Sequence, residues 1–208
     1  MDVIGICDHN SAENAQAAIR ASDGSITVLP GIEITSAEEV HMLALFGTID
    51  DAMFMQDIIY QHLPDTKNDP KLFGEQVIAN EYDDVVGFNE HLLLTATSLS
   101  LMEVVNIIHA QNGIAIASHI DRPSFGLYGQ LGFIPQDLAL NAVELSGQIT
   151  YDKARSQFPD IERFPVIFAS DAHSLCDIGK NFTEFRLSEP TFAGIKNALK
   201  NGQGRGIV

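Results

Sequence analysis

Three strand-length apolar runs in this chain end in an acid or an imidazole, a fourth carries an acid near its end, and a fifth opens on an imidazole. Asp8 and His9 follow the run from Val3 to Cys7. Glu33 sits inside "PGIEIT", His119 closes "IAIASH", and Asp171 and His173 close "VIFASDAH". His41 opens "HMLALF", eight residues after Glu33. Short apolar runs of this kind fill buried strands of a parallel sheet. In parallel α/β folds, sites form where the carboxyl ends of neighbouring strands converge. The pattern therefore constrains the chain twice: the runs must lie side by side, and their polar ends must share one rim.

Helix-favouring segments separate the runs. "AENAQAAIRAS" reads as a helix with Ser11 as its N-cap, and residues 51 to 62 read as another. Ser100 to Glu103 forms an S-x-x-E capping box opening "LMEVVNIIHAQ", with Gly113 in the place of a C-terminal glycine. "SITVLPGIEIT", "NAVELSG" and "PVIFASDAHS" read as strands, and "TFAGIKNALKNG" as a closing helix. Residues 64 to 91 are polar and turn-rich around "LPDTKNDPKLFG", which suggests an inserted lid. Strands alternating with helices predict an α/β fold, a parallel sheet or barrel. Without repeats, low-complexity tracts or a linker, residues 1–208 are expected to form a single domain, with a lid or subdomain at about 51–98.

Composition narrows the function. Hydrophobic residues make up 45% and charged residues 19%, as in a globular protein. No apolar stretch reaches the roughly 18 residues of a membrane span, and "MDVIGICDHN" lacks the basic start of a secretory signal. Two cysteines are too few for a disulfide framework, so a cytoplasmic location is expected. With no stretch of membrane length, no membrane partner is expected, and the formal charge of −16 argues against long nucleic acid, leaving bound metal to supply positive charge at a site. Protein partners and oligomeric state are not readable.

The rim residues suit metal chemistry. Imidazole and carboxylate ligate zinc, manganese and iron. A His/Asp/Glu set without cysteine fits metal-assisted hydrolysis better than a structural zinc site. No G-x-S-x-G elbow and no G-x-x-x-x-G-K-[ST] loop is present, so the chain offers neither a serine hydrolase nor a nucleotide-loop signature.

Together, "ICDHN", "GIEITSAEEVHMLALF", "ASHIDRP" and "ASDAHS" resemble the PHP family, named for polymerase and histidinol phosphatase. The resemblance runs over most of the chain, in order. It implies a distorted (β/α)7 barrel, up to three divalent metal ions, and hydrolysis of phosphoesters by metal-activated water. Carried over by position, Glu33 bridges two metals, His41 and His119 complete one of these sites, and Asp171 binds the other. His9 and His173 hold the third ion. Glu33 and Asp171 then count as catalytic through the metals, and Asp8 orients an imidazole. The family's first strand ends in His-x-His, which occurs nowhere here, and the chain opens inside what reads as the second strand. The resemblance thus implies an absent N-terminal strand and helix. A missing natural segment is favoured over a degenerate, metal-binding or partner-binding relative. The expected substrate is a small phosphorylated compound, either a phosphomonoester or a short nucleotide.

Other residues carry weaker signals. Arg122 suits a substrate phosphate, or equally a nearby acid. Glu144 ends a strand and could face the site. Ser174 reads as a cap or turn residue, Cys7 as a small buried thiol, and Cys176 as a thiol beside the last motif. His62, His91 and His109 are expected outside the metal set. "GQGRG" reads as a tail, without the strand and helix of a nucleotide loop.

Overall fold

The computed structural model describes residues 1–200, so the "GQGRG" tail lies outside the described residues. The main sheet holds β1 (Val3–His9), β2 (Thr27–Thr35), β3 (His41–Leu45), β6 (Ile114–Ala117), β7 (Ala142–Leu145) and β8 (Val166–Phe168), side by side in that order. A separate hairpin pairs β4 (Val77–Ala79) with β5 (Val85–Phe88). The helices are α1 (Ala15–Ala21), α2 (Ile49–His62), α3 (Pro70–Phe73), α4 (Leu101–Ala110), α5 (Leu127–Leu131), α6 (Tyr151–Gln157) and α7 (Phe192–Lys200). Among the described residues no helix is long and apolar enough to cross a membrane.

The fold is α/β with a curled sheet. It differs from an all-parallel barrel in two respects. The end strands β1 and β8 do not pair, so the sheet is not closed among the described residues. And β3 runs antiparallel to both β2 and β6, while β1–β2, β6–β7 and β7–β8 are parallel. The cause is local. Only residues 36 to 40 join β2 to β3, whereas a parallel crossover needs a dozen residues or more. Ser36 N–H donates to Val40 O (3.0 Å), and Glu39 takes φ 59°, closing a tight turn. This reversal puts the first residue of β3, His41, opposite the last residue of β2, Thr35. His41 opens its strand at the rim where the other strands end.

Side-chain alternation sorts the two faces of the sheet. Ile32, Ile34, Met42 and Ala44 point into the larger core, with Met55 and Ile59 of α2 and Val104 and Ile108 of α4. Leu29, Ile114, Ile116 and Ile167 point the other way, toward Ile195 and Leu199 of α7. On that second, inner face the same period exposes Cys7, Glu33, Glu144 and Ile167 to a cavity of about 1500 Å³. Gly31 is required there, because a Cβ would stand 2.6 Å from Cys7 Sγ and 2.9 Å from Ala44 O.

Two expected caps resolve differently. The Ser100–Glu103 capping box forms as read, with Glu103 accepting from Ser100 N–H at 2.8 Å. Gly113, however, follows the left-handed residue, which is Asn112 (φ 56°). Ser11 does not cap α1; its hydroxyl donates to Gln56 and accepts from Tyr60, tying β1 to α2. Beyond α2, the polar stretch contains the β4–β5 hairpin, whose strands are too short to show periodicity. Asn10 donates to Leu93 O (2.8 Å) and Thr95 O (2.9 Å), fastening the end of this segment to the rim.

Candidate metal centre

Glu33 lies near the end of β2, between β1 and β3, and is 5% exposed. Three imidazoles converge on it from three strand ends. His9 Nδ1 stands 3.3 Å from Oε2, while His41 Nδ1 (3.2 Å) and His119 Nε2 (3.3 Å) approach Oε1. The register explains the first of these, since His9 and Glu33 are direct partners across β1 and β2. Ser118 N–H donates to His41 O (3.0 Å), which brings the end of β6 alongside. The His41 ring is stacked on Phe125, with centroids 4.5 Å apart.

The donor set fits a divalent metal. One ligand atom each from His9, Glu33 and His41 lie within 4.8 Å of one another. His41 Nδ1 and His119 Nδ1 are buried without a hydrogen-bond partner. A buried polar atom left unpaired costs about 1–3 kcal/mol, and an ion against His41 Nδ1 would remove that cost at one of them. Burial alone would raise the Glu33 carboxyl, but the His119 and His41 imidazoles against it and the nearby His9 outweigh burial and hold it well below the usual carboxylate range. Burial, with the neighbouring His41 and His173, pushes His9 down despite the opposing pull of Glu33 and Asp171. A carboxylate kept charged and an imidazole kept neutral are the ligand forms a dication needs.

The other end of the rim is different. Asp171 (side chain 17% exposed) accepts from Arg122 Nη1 at 2.6 Å. His173 is 68% exposed, its Nδ1 3.8 Å from Asp171 Oδ1, and its ring centroid is 6.1 Å from that of His9. Of the six residues carried over as ligands, His9, His41 and His119 meet at the Glu33 carboxylate, Asp171 is paired with the Arg122 guanidinium, and His173 lies exposed beside Asp171. Asp8 does not orient an imidazole here. Its carboxylate accepts from Asn14 Nδ2 (2.9 Å), and Asn14 Oδ1 accepts from Ala79 N–H (3.0 Å), so it anchors the hairpin.

Glu144 is the acid that the strand pattern left open. It is buried on β7, and burial, with Glu33 and Asp171 nearby, pushes its carboxyl up to about 8. Its signal was period 2 within a short run, which cannot by itself say which face is the inner one. Burial likewise pushes the Cys7 thiol up, and Cys176 is exposed. Ser174 donates to Asp177 (2.5 Å) in the turn after the last motif. His62 contacts Ser98 (3.0 Å), His91 lies against Tyr60, and His109 Nε2 meets Ala139 O (2.7 Å).

Comparison with known proteins bears on the fold and on the family resemblance. Residues 158–203 match a family model described as PHP-associated. The fold superposes on the lesion-specific endonuclease EndoQ of Pyrococcus furiosus with a TM-score of 0.65, at 16% identity, over 97% of this chain and 48% of that one. A Bifidobacterium adolescentis protein taken to be a metal-dependent phosphoesterase superposes with a TM-score of 0.59, at 18% identity, over 100% of this chain and 87% of that one. The resemblance to the PHP family holds. In sequence, Bacillus subtilis YqxK, itself uncharacterised, is 31% identical over 117 residues, 54% of this chain. The chain spans 29% of YqxK and about half of EndoQ. One PHP-type relative corrects the charge argument. Endonuclease Q, whose fold matches 100% of this chain (TM-score 0.64, 16% identity), binds a 27-mer duplex with an abasic lesion at its active site. Net charge describes the whole surface, whereas a duplex is held by local features, so a charge of −16 does not exclude long nucleic acid.

Proposed function

We propose that the chain carries a metal-dependent phosphoesterase centre in which His9, Glu33, His41 and His119 hold a zinc, manganese or iron ion. The observation that carries this reading is the buried Glu33 carboxylate with three imidazole nitrogens within 3.3 Å, one of them, His41 Nδ1, without a hydrogen-bond partner. A dication bound there supplies an acidified water and charge stabilisation for a phosphoryl oxygen. The protein's own part is positional. Glu33 stays ionised, His9 stays neutral, and Phe125 fixes the plane of His41. Asp171 lines the cavity, and Arg122, paired with it, offers a guanidinium of the geometry that matches phosphate oxygens.

The preferred substrate is a small phosphomonoester or a short nucleotide, received in the cavity lined by His9, Glu33 and Asp171. Phe73, Val77 and Ile78 of the inserted segment line the same cavity and serve as its cover. The curled sheet is read as a distorted (β/α)7-type barrel within one domain. The two free cysteines suit a reducing cytoplasm. A second reading, cleavage of a damaged nucleic-acid strand, is favoured by the fold shared with EndoQ.

The deciding experiment assays metal-stripped protein with added manganese or zinc. The substrates are p-nitrophenyl phosphate, mononucleotides, and a duplex bearing an abasic site, with His41→Ala as the control. Turnover of the small esters that chelator and His41→Ala both abolish supports the first reading. Cleavage of the duplex alone transfers the assignment to the second. No turnover on any substrate, with metal bound, leaves a non-catalytic metal-binding relative.

A further inference from the structure

Asp171 is a rim carboxylate already occupied by a cation, and the cation belongs to the chain. Arg122 Nη1 lies 2.6 Å from Asp171 Oδ2. The backbone that delivers Arg122 is tightly held. Asp121, the preceding residue, accepts from Ser146 N–H (2.7 Å) and Ser146 Oγ (2.5 Å), which pins it to the end of β7. Ile120 N–H donates to Glu144 O (2.9 Å), and Arg122 N–H donates to His119 O (2.9 Å). On the far side the chain folds back so closely that a Cβ on Gly126 would stand 2.3 Å from Arg122 O. Pro123 restricts the next φ. The guanidinium therefore comes from a fixed turn starting at His119, itself one of the imidazoles on Glu33.

The cavity that Asp171 lines is acidic, with Glu33 and Glu144 on it as well. Burial keeps Glu144 protonated, which leaves Glu33 and Asp171 as the carboxylates that need compensating positive charge. An ion at Glu33 answers one part of that need, and the Arg122 guanidinium on Asp171 answers the other.

We propose that Arg122 takes the place of a second dication at Asp171, so that the chain loads a single metal ion at the Glu33 cluster and presents a guanidinium beside it. The proposal rests on the metal centre described above and concerns how many ions it takes. It also gives Arg122 a defined task. The substrate phosphate would lie between the ion and the guanidinium, with Asp171 aligning the fork.

The test is calorimetric titration of manganese into chelator-stripped protein, with bound metal counted by mass spectrometry. No catalytic readout is involved. The wild type should take one ion per chain. Arg122→Met, and independently Arg122→Gln should the first fold poorly, should take two, with the second at least tenfold tighter than any second event in the wild type. Adding Asp171→Asn to either variant should remove the second event and leave the first. A wild type that already binds two ions, unchanged by loss of Arg122, overturns the proposal. So does a single event persisting in both Arg122 variants, and these results leave the metal centre standing. A wild type that binds no manganese overturns the metal centre, and this proposal with it.

Discussion

The Glu33 end and the Asp171 end of the rim contain the same kinds of side chain but differ in how they are held. Glu33, His41 and His119 are buried and come from the paired central strands β2, β3 and β6. Asp171 and His173 follow β8, which pairs only with β7 among the described residues, and His173 is largely exposed. At the first end, imidazoles crowd a carboxylate and one nitrogen facing it, His41 Nδ1, is left unpaired; at the second, an arginine satisfies the carboxylate. Residue type alone is therefore a poor guide to a metal site. Burial and the absence of a better partner separate the two.

The sharpest way to break this comparison is to remove ligands at each end. His41→Ala or His119→Ala should lower manganese affinity and phosphoesterase turnover by at least ~100-fold, since each takes away a direct ligand. His173→Ala should change either by less than ~10-fold. Equilibrium dialysis and steady-state kinetics would show it, and equal losses at both ends would erase the distinction.

The next effect is on stability. The Glu144 carboxyl titrates at about 8 in the folded chain against 4.5 ordinarily. Between these values the folded state holds a proton that the unfolded state has lost, so Glu144 costs metal-free protein stability as pH rises through that window. Glu144→Gln should flatten this trend and be more stable than wild type at pH 8 by roughly 1–3 kcal/mol. Urea melts of the metal-free pair at pH 5 and pH 8 would measure it. A difference independent of pH would mean that the carboxyl is already charged in the fold.

The opposite sign holds for Glu33. Its depressed carboxyl contributes stability that is present above about 4.5 and is lost as pH falls below that value. His9, lowered from 6.5, adds a loss in the same direction below its ordinary value, because the unfolded chain takes up the proton first. Glu33→Gln should therefore blunt the acid limb of the stability curve below about pH 4.5. The smallest predicted effect is at Asp171. Asp171→Asn should raise the substrate KM several-fold by freeing the Arg122 fork, and should leave binding of the first manganese within ~3-fold.

Much of the rim was legible because strand-length runs end in residues that apolar strands do not otherwise need. Glu33, His9 and His119 could be placed on one edge from that pattern alone. The direction of β3 was legible in principle too, since five residues between Thr35 and His41 cannot make a crossover. What did not show were contacts set by tertiary approach. Asp8 stands next to His9 in sequence yet binds Asn14, because the hairpin packs against that side of β1. Arg122 could have met a phosphate or an acid; only the folded turn brings it to Asp171. The inserted hairpin stayed hidden because "VIA" and "VVGF" are too short to display alternation.

The tight turn between β2 and β3 also bears on how the centre is assembled. Glu33 and His41 are eight residues apart in the chain. A hairpin of this kind closes in about 1–10 μs, and its loop-closure entropy is small beside that of bringing His119 from β6. Two of the four converging side chains can thus meet while most of the sheet is still unformed. An ion captured by that pair would then favour every later pairing that delivers another imidazole, making the metal a participant in folding as well as in chemistry.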